Sequence, residues 1–270
     1  MCGRYAASRS PEDLVGLFGV EKWEPAETLA PDWNVAPTKS VHVVLERPLK
    51  DARERGPVRQ LRALRWGLVP SWAKSPEGAA KMINARAETV HEKPSFRRAF
   101  ESRRCLIPAD GYYEWVTGAD ERELEERGRR KRARKQPYFV TPEDGSVLAM
   151  AGLYEFWRDP ALPADHPQAW WATCAVITTE ASAEPFAAAG GEGPRSLAEI
   201  HPRMPVVLPR ERWGAWLDPS CTDAGALRGV LASGAAAVRA YPVRTSVSDV
   251  RNNGPELVEE LPAPEESTLF

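Results

Sequence analysis

The chain is poor in cysteine: four residues, Cys2, Cys105, Cys174 and Cys221, in 270. None stands in a C-x-x-C pair, and the spacings suit neither a zinc site nor a disulfide framework. No metal or cofactor is expected. No run of about 18 apolar residues occurs, which excludes a transmembrane helix. The first residues contain no apolar h-region, so no secretory leader is expected and the predicted compartment is the reducing cytoplasm. The chain also lacks an excess of either charge, since 36 Lys and Arg against 38 Asp and Glu leave −2. That excludes a global polycation, so any nucleic-acid surface must be a local basic groove. Of only four histidines, His201 alone has neighbours that suit a site, standing with Arg203 ahead of an apolar strand. The ten tryptophans are numerous; they serve either as large core residues or as stacking platforms for bases.

The N-terminus is what is present in place of these. Cys2 follows Met1 directly, and a small second residue lets an aminopeptidase remove the initiator. The mature chain then begins with a cysteine carrying a free α-amine and a thiol on adjacent carbons. An α-amine titrates near ~7.7–8.0, so about a quarter of it is neutral at slightly alkaline pH, against about 0.1% of a lysine. Such an amine adds to an aldehyde to form a Schiff base. The neighbouring thiol can then attack the imine carbon and close a five-membered thiazolidine.

Along the chain, Ser10-Pro11-Glu12-Asp13 reads as a helix start and Gly19 as its end. Val41–Leu45 is a short strand, and Leu64–Trp72 a strand end with a Gly- and Pro-punctuated loop beside Arg65 and Lys74. In Met82–Thr89, Asn84, Arg86 and Glu88 share one face if the segment is extended. Ser95–Glu101 reads as a short helix capped by Ser95. Cys105–Trp115 reads as strand, Asp-Gly turn, strand. Glu114 then faces the side of Tyr112, where desolvation raises a carboxyl pKa toward neutrality and suits it to proton transfer; a wet edge strand is the alternative. Residues 118–136, acidic and then basic, read as a solvated insertion. Strands are expected over 138–141, 148–157, 171–178 and 236–243, and a helical passage from Thr179. From Glu256 on, Pro and Glu predict a disordered tail.

Six stretches occur in order: Met1-Cys2-Gly3-Arg4-Tyr5, Trp33-Asn34-Val35-Ala36-Pro37-Thr38, Trp66-Gly67-Leu68-Val69-Pro70, Asn84-Ala85-Arg86-Ala87-Glu88-Thr89, Pro108 to Trp115, and His201-Pro202-Arg203-Met204-Pro205. Together they make the chain resemble the SOS response-associated peptidase (SRAP) family from Cys2 to about Val243. The resemblance implies an α+β fold: a single β-rich domain over residues 1–255 with a barrel-like core, short flanking helices and a tail over 256–270. It implies a shallow basic cleft for single-stranded DNA, with no membrane and no obligate protein partner, in a cytoplasmic, nucleoid-associated protein. It also implies a substrate: the aldehyde of a ring-opened abasic site, condensed with Cys2 to leave a thiazolidine crosslink that shields the lesion.

The site residues implied by that resemblance are Cys2 as nucleophile, Asn84 to position the sugar, Glu114 as general acid/base, and His201 as a second proton donor or acceptor. Arg86 and Arg203 would hold phosphates. Arg4 would contact phosphate or depress the thiol pKa. Trp66 and Trp115 would stack on or wedge against bases, and Pro37 would line the cleft. Two other readings stay open. One is a thiol peptidase or autopeptidase, using Cys2 with His201 or the free amine as base. The other is a non-covalent reader of single-stranded or modified DNA.

Overall fold

The computed structural model describes residues 2–49, 54, 56–117, 135–163, 165–185, 194–232 and 237–262. Most of the predicted insertion, residues 118–134, lies outside the described residues. The strands are β1 (Tyr5–Ala7), β2 (Lys22–Trp23), β3 (Asp32–Val35), β4 (Ser40–Pro48), β5 (Pro57–Trp66), β6 (Asn84–Arg86), β7 (Arg104–Ala109), β8 (Gly111–Thr117), β9 (Lys135–Pro142), β10 (Leu148–Arg158), β11 (Trp170–Glu180), β12 (Arg203–Pro205) and β13 (Val238–Pro242).

β4, β5, β10 and β11 are the longest strands, favoured by β-branched residues in β4 and β11 and by the aromatic end of β10. They pair in the order β11-β10-β7-β4-β5, and a parallel pairing of β5 with β11, Arg65 with Thr173 and Trp66 with Cys174, closes a five-stranded barrel. A second sheet has the order β13-β9-β8-β1-β3. Short helices flank both, which makes the fold a single α+β domain with a barrel core.

Side-chain alternation divides the interior. Met150, Tyr154, Cys174 and Val176 face a cluster that contains Cys2, Tyr5 and Tyr112. Ala149, Ala151, Ala175 and Ile177 face the other way, toward the helix residues Phe100, Trp216 and Leu227. The first helix, Pro11–Phe18, begins and ends where its signals put it. Ser10 Oγ accepts from the Asp13 N–H, and Gly19 closes the helix in the left-handed region at φ 62°.

Four local expectations are corrected. The Asp110-Gly111 turn does not join a hairpin: β7 pairs with β4 and β10, whereas β8 pairs with β1 and β9. It is a corner that carries the chain from barrel to second sheet. Gly111 is required there, because a Cβ would stand 2.4 Å from the Phe139 ring and 2.5 Å from the Val140 carbonyl. Ser95 caps nothing, since the second helix runs Arg97–Ser102 after Phe96 and has no side-chain cap. β11 continues to Glu180, because the β12 ladder pairs with Thr178, Thr179 and Glu180. Within residues 256–262 the Pro/Glu composition is overridden by one apolar anchor, and the rest of the predicted tail, 263–270, lies outside the described residues. Pro255–Val258 forms a 3-10 turn, Leu257 is buried, and the Leu261 N–H donates to the Pro242 carbonyl.

Candidate active site

The second sheet delivers one half of the site. β1 and β8 are antiparallel, with Tyr5 opposite Tyr112, and the Tyr113 N–H donates to the Arg4 carbonyl at 2.9 Å. Continuing that register brings the residues before β1 alongside Glu114. β8 lies between β1 and β9, so Glu114 is not on a wet edge; it is 5% exposed. Burial pushes its carboxyl up to about 7. Cys2 is fully buried at the end of this ladder. Burial, then the Glu114 carboxylate, push the Cys2 thiol well above its ordinary range; the Arg4 backbone pulls the other way. The resting group is therefore a thiol, not a thiolate. Tyr112, on the same strand face as Glu114, is buried, and its hydroxyl is raised by burial and then by Cys2 and Glu114.

The barrel delivers the other half through the end of β11. Past its contact with β5, β11 takes β6 as a parallel neighbour, Val176 opposite Asn84 and Thr178 opposite Arg86. On the other side it takes β12, Thr178 opposite Pro205. Asn84 Nδ2 donates to the Cys2 carbonyl at 2.9 Å and so ties the two halves together. Asn84 Oδ1 is buried with no partner among the described residues. His201 ends the helical turn Leu197–Ile200. Its Nδ1 accepts from the Arg203 N–H at 3.0 Å and lies 3.1 Å from the Arg203 carbonyl, so a bare and a protonated Nδ1 both find a backbone partner. Burial lowers the ring pKa and keeps it neutral near pH 7.

Cys2, Asn84, Glu114 and His201 are thus brought together. The remaining candidates divide. Arg86 is exposed. Arg203 stands opposite Glu180 on the other flank of β11, and both its terminal guanidinium nitrogens are engaged: Glu88 takes them in a fork at 2.8 and 2.9 Å, and the Thr178 carbonyl accepts at 2.7 Å. Arg4 turns its guanidinium to Asn34 Oδ1 at 2.7 Å and the Val247 carbonyl at 2.9 Å, and lies 5.7 Å over the Trp115 ring. Its contribution at the thiol is through the backbone, not the guanidinium. Trp115 is half-buried and donates to Ser248 Oγ at 3.0 Å. Pro37 is half-buried, next to Thr38, whose left-handed φ of 74° is held by a bond from its N–H to the Trp66 carbonyl.

Trp66 itself has no exposed surface. It packs edge-on against Tyr5 at 5.1 Å and donates to the Ile83 carbonyl, so it supports the floor of the site and offers no face to a base. The exposed indole of that loop is Trp72.

Sequence reasoning missed Tyr112, Asn34 and the Glu88–Arg203 pair. Tyr112 was within reach, since it alternates with Glu114. The other two depend on partners more than a hundred residues away. Among the described residues no three His, Cys, Asp or Glu cluster as metal ligands would, and no helix is long and apolar enough to cross a membrane.

The profile of the family described as SOS response associated peptidase (SRAP) matches residues 1–250. The abasic site processing protein YoqW of Bacillus subtilis is 36% identical over 261 residues, covering 96% of this chain and 99% of that protein. The abasic site processing protein HMCES of Xenopus tropicalis is 28% identical, covering 95% of this chain and 77% of its own length. A crystal structure of a Bacteroides thetaiotaomicron protein superposes with a TM-score of 0.71 over 96% of this chain and 100% of that one; at 24% identity it speaks to fold alone. Matched along nearly its whole length by the family profile and by a relative above 30% identity, the chain belongs to the SOS response associated peptidase family.

Proposed function

We propose that the protein processes abasic sites in single-stranded DNA by a covalent reaction of Cys2, once Met1 is removed. The α-amine of Cys2 adds to the aldehyde of the ring-opened deoxyribose, and the carbinolamine loses water to give an imine. The thiol then adds to the imine carbon while its proton passes to nitrogen, which closes a thiazolidine. The balance is one aldehyde and one aminothiol giving one ring and one water.

The observation that carries this reading is the buried Glu114 carboxyl, pushed up to about 7 beside a Cys2 whose carbonyl is held by Asn84. A carboxyl poised near neutrality donates a proton to the sugar ring oxygen or the departing hydroxyl, and takes it back afterwards. A thiol kept protonated by burial suits an order in which the amine attacks first and sulfur second. Asn84 Oδ1, a buried acceptor without a partner, is available to a sugar hydroxyl. Arg86 and Arg203, on the two strands that flank the end of β11, would take phosphates, and the half-buried Trp115 would take a base.

The test mixes the Met1-free protein with a single-stranded oligonucleotide carrying one abasic site, followed by a denaturing gel and an intact mass. A heat-stable adduct one water lighter than the sum of its parts, absent in Cys2→Ala, is expected. No adduct from a chain verified to begin at Cys2 overturns the covalent reading. Retained binding without an adduct would point to the non-covalent reader, and cleavage of a peptide substrate dependent on Cys2 to the peptidase.

A further inference from the structure

Arg203 is the more sheltered of the two cleft arginines, its side chain 15% exposed, and its fork is already filled. Glu88 occupies it with both carboxylate oxygens, at 2.8 and 2.9 Å, while the Thr178 carbonyl fixes the same guanidinium from behind. A carboxylate in this fork has the shape and charge of the two phosphate oxygens that a guanidinium grips in a nucleic-acid backbone. Glu88 is itself 43% exposed, and beyond Arg203 its carboxylate meets the Thr179 hydroxyl at a loose 3.5 Å. The carboxylate can therefore leave for water without a large desolvation change. Arg86, opposite Thr178 on β6, is exposed, and no carboxylate among the described residues pairs with it in this way.

We propose that Glu88 is a built-in competitor for backbone phosphate, holding the Arg203 fork in its binding orientation in the free protein and giving it up to a phosphate when single-stranded nucleic acid enters the cleft. The inference rests on the reading of the cleft as a single-stranded DNA site and adds an element of control to it. Arg203 is kept ordered yet electrically neutralised, so random anions gain little from it. A strand that also engages Arg86 and Trp115 displaces Glu88. Specificity for an extended strand over isolated phosphate follows, because only the strand supplies the additional contacts.

The measurement is fluorescence-anisotropy binding of an undamaged, labelled oligothymidylate across a series of salt concentrations, which involves no covalent step. Glu88→Gln keeps the side chain's size and removes its charge. It is expected to bind about two- to five-fold tighter, the scale of an exposed ion pair. Its salt dependence should steepen by about 0.7 in slope, because the phosphate now meets an arginine that is not internally neutralised. Adding Arg203→Met to Glu88→Gln should abolish the gain. Thermal melting of each variant confirms that it is folded. Binding by Glu88→Gln that is equal to or weaker than wild type overturns the competitor role while leaving the DNA-binding reading intact. A gain that survives Arg203→Met also overturns it, because the carboxylate would then act on Arg86 or on the general field. If the wild type and both variants fail to bind the oligonucleotide at any salt, the inference and the DNA-binding reading fall together.

Discussion

The Nδ1 atom of His201 lies 4.0 Å from the Oε1 atom of Glu114, beyond direct hydrogen-bond reach but close enough for charge on one to be felt by the other. Burial drives both toward neutrality: it raises the carboxyl to about 7 and lowers the imidazole. Near pH 7 the cleft thus holds a carboxylic acid able to donate beside an imidazole able to accept. Two environments that push pKa values apart in this way assign an acid and a base.

The rate of crosslinking should therefore be bell-shaped in pH. The neutral α-amine becomes more abundant as pH rises toward ~7.7–8.0. The protonated Glu114 carboxyl is lost as pH rises through about 7. Single-turnover crosslinking should peak near neutrality. Glu114→Gln should cut the maximum about 10²-fold or more and remove the falling limb, leaving a rate that only climbs with the amine. A wild-type rate that rises without a maximum to about pH 9 would remove Glu114 as the acid.

The same shift has a consequence for stability. Because the folded carboxyl titrates at about 7 against 4.5 for an ordinary glutamate, the folded chain holds its proton more tightly than the unfolded chain. The contribution is fully present below 4.5 and is lost as pH rises through about 7. Glutamine resembles the protonated form at every pH. Glu114→Gln should melt with the wild type near pH 4 to 5 and be more stable above pH 7, by roughly 1–3 kcal/mol. Urea unfolding at two pH values measures the difference. Equal stability at both would mean the carboxyl is not desolvated as its burial implies.

Local signals were legible where the physics is local. Ser10 and Gly19 bound a helix because a side-chain cap and a left-handed glycine need no distant partner. The position of Glu114 followed from strand alternation alone, and its proximity to Cys2 needed only the β1–β8 register. What stayed hidden depends on long-range pairing. Nothing near Asp110-Gly111 says that the two flanking strands belong to different sheets. Nothing near Glu88 announces Arg203, 115 residues later. Trp66 and Trp115 look alike in sequence, and barrel closure against Cys174 alone decides that Trp66 is interior.

That difference between the two tryptophans can be measured. Trp66→Ala empties a fully buried site beneath Tyr5 and removes one of the two donors to the Ile83 carbonyl, which keeps the Val176 N–H, so about 3–5 kcal/mol of stability should be lost, most of it from the cavity. Trp115→Ala removes a half-buried ring at the cleft wall. It should cost little stability but weaken binding of undamaged single-stranded DNA by roughly 1–3 kcal/mol. Melting curves and anisotropy titrations on the same two proteins separate the roles. A Trp115→Ala variant with unaltered affinity would exclude its ring as a stacking platform.

The wall that holds Trp115 depends in turn on Asn34. This fully buried amide directs Nδ2 at the Val247, Asp249 and Asn252 carbonyls, at 3.2, 3.0 and 2.9 Å, while its Oδ1 receives the Arg4 guanidinium. It thereby fastens the segment around Ser248 to the strand beside the N-terminus, and Ser248 carries the hydrogen bond from the Trp115 indole. Asn34→Ala leaves buried carbonyls and a guanidinium short of partners, at a cost of about 2–4 kcal/mol. The loss should not be uniform. Hydrogen exchange should rise first in residues 245–253, and single-stranded DNA affinity should fall with it, before the barrel strands β10 and β11 lose protection. If protection instead falls evenly across the barrel and the 245–253 segment, Asn34 is only a general core residue and the wall does not depend on it.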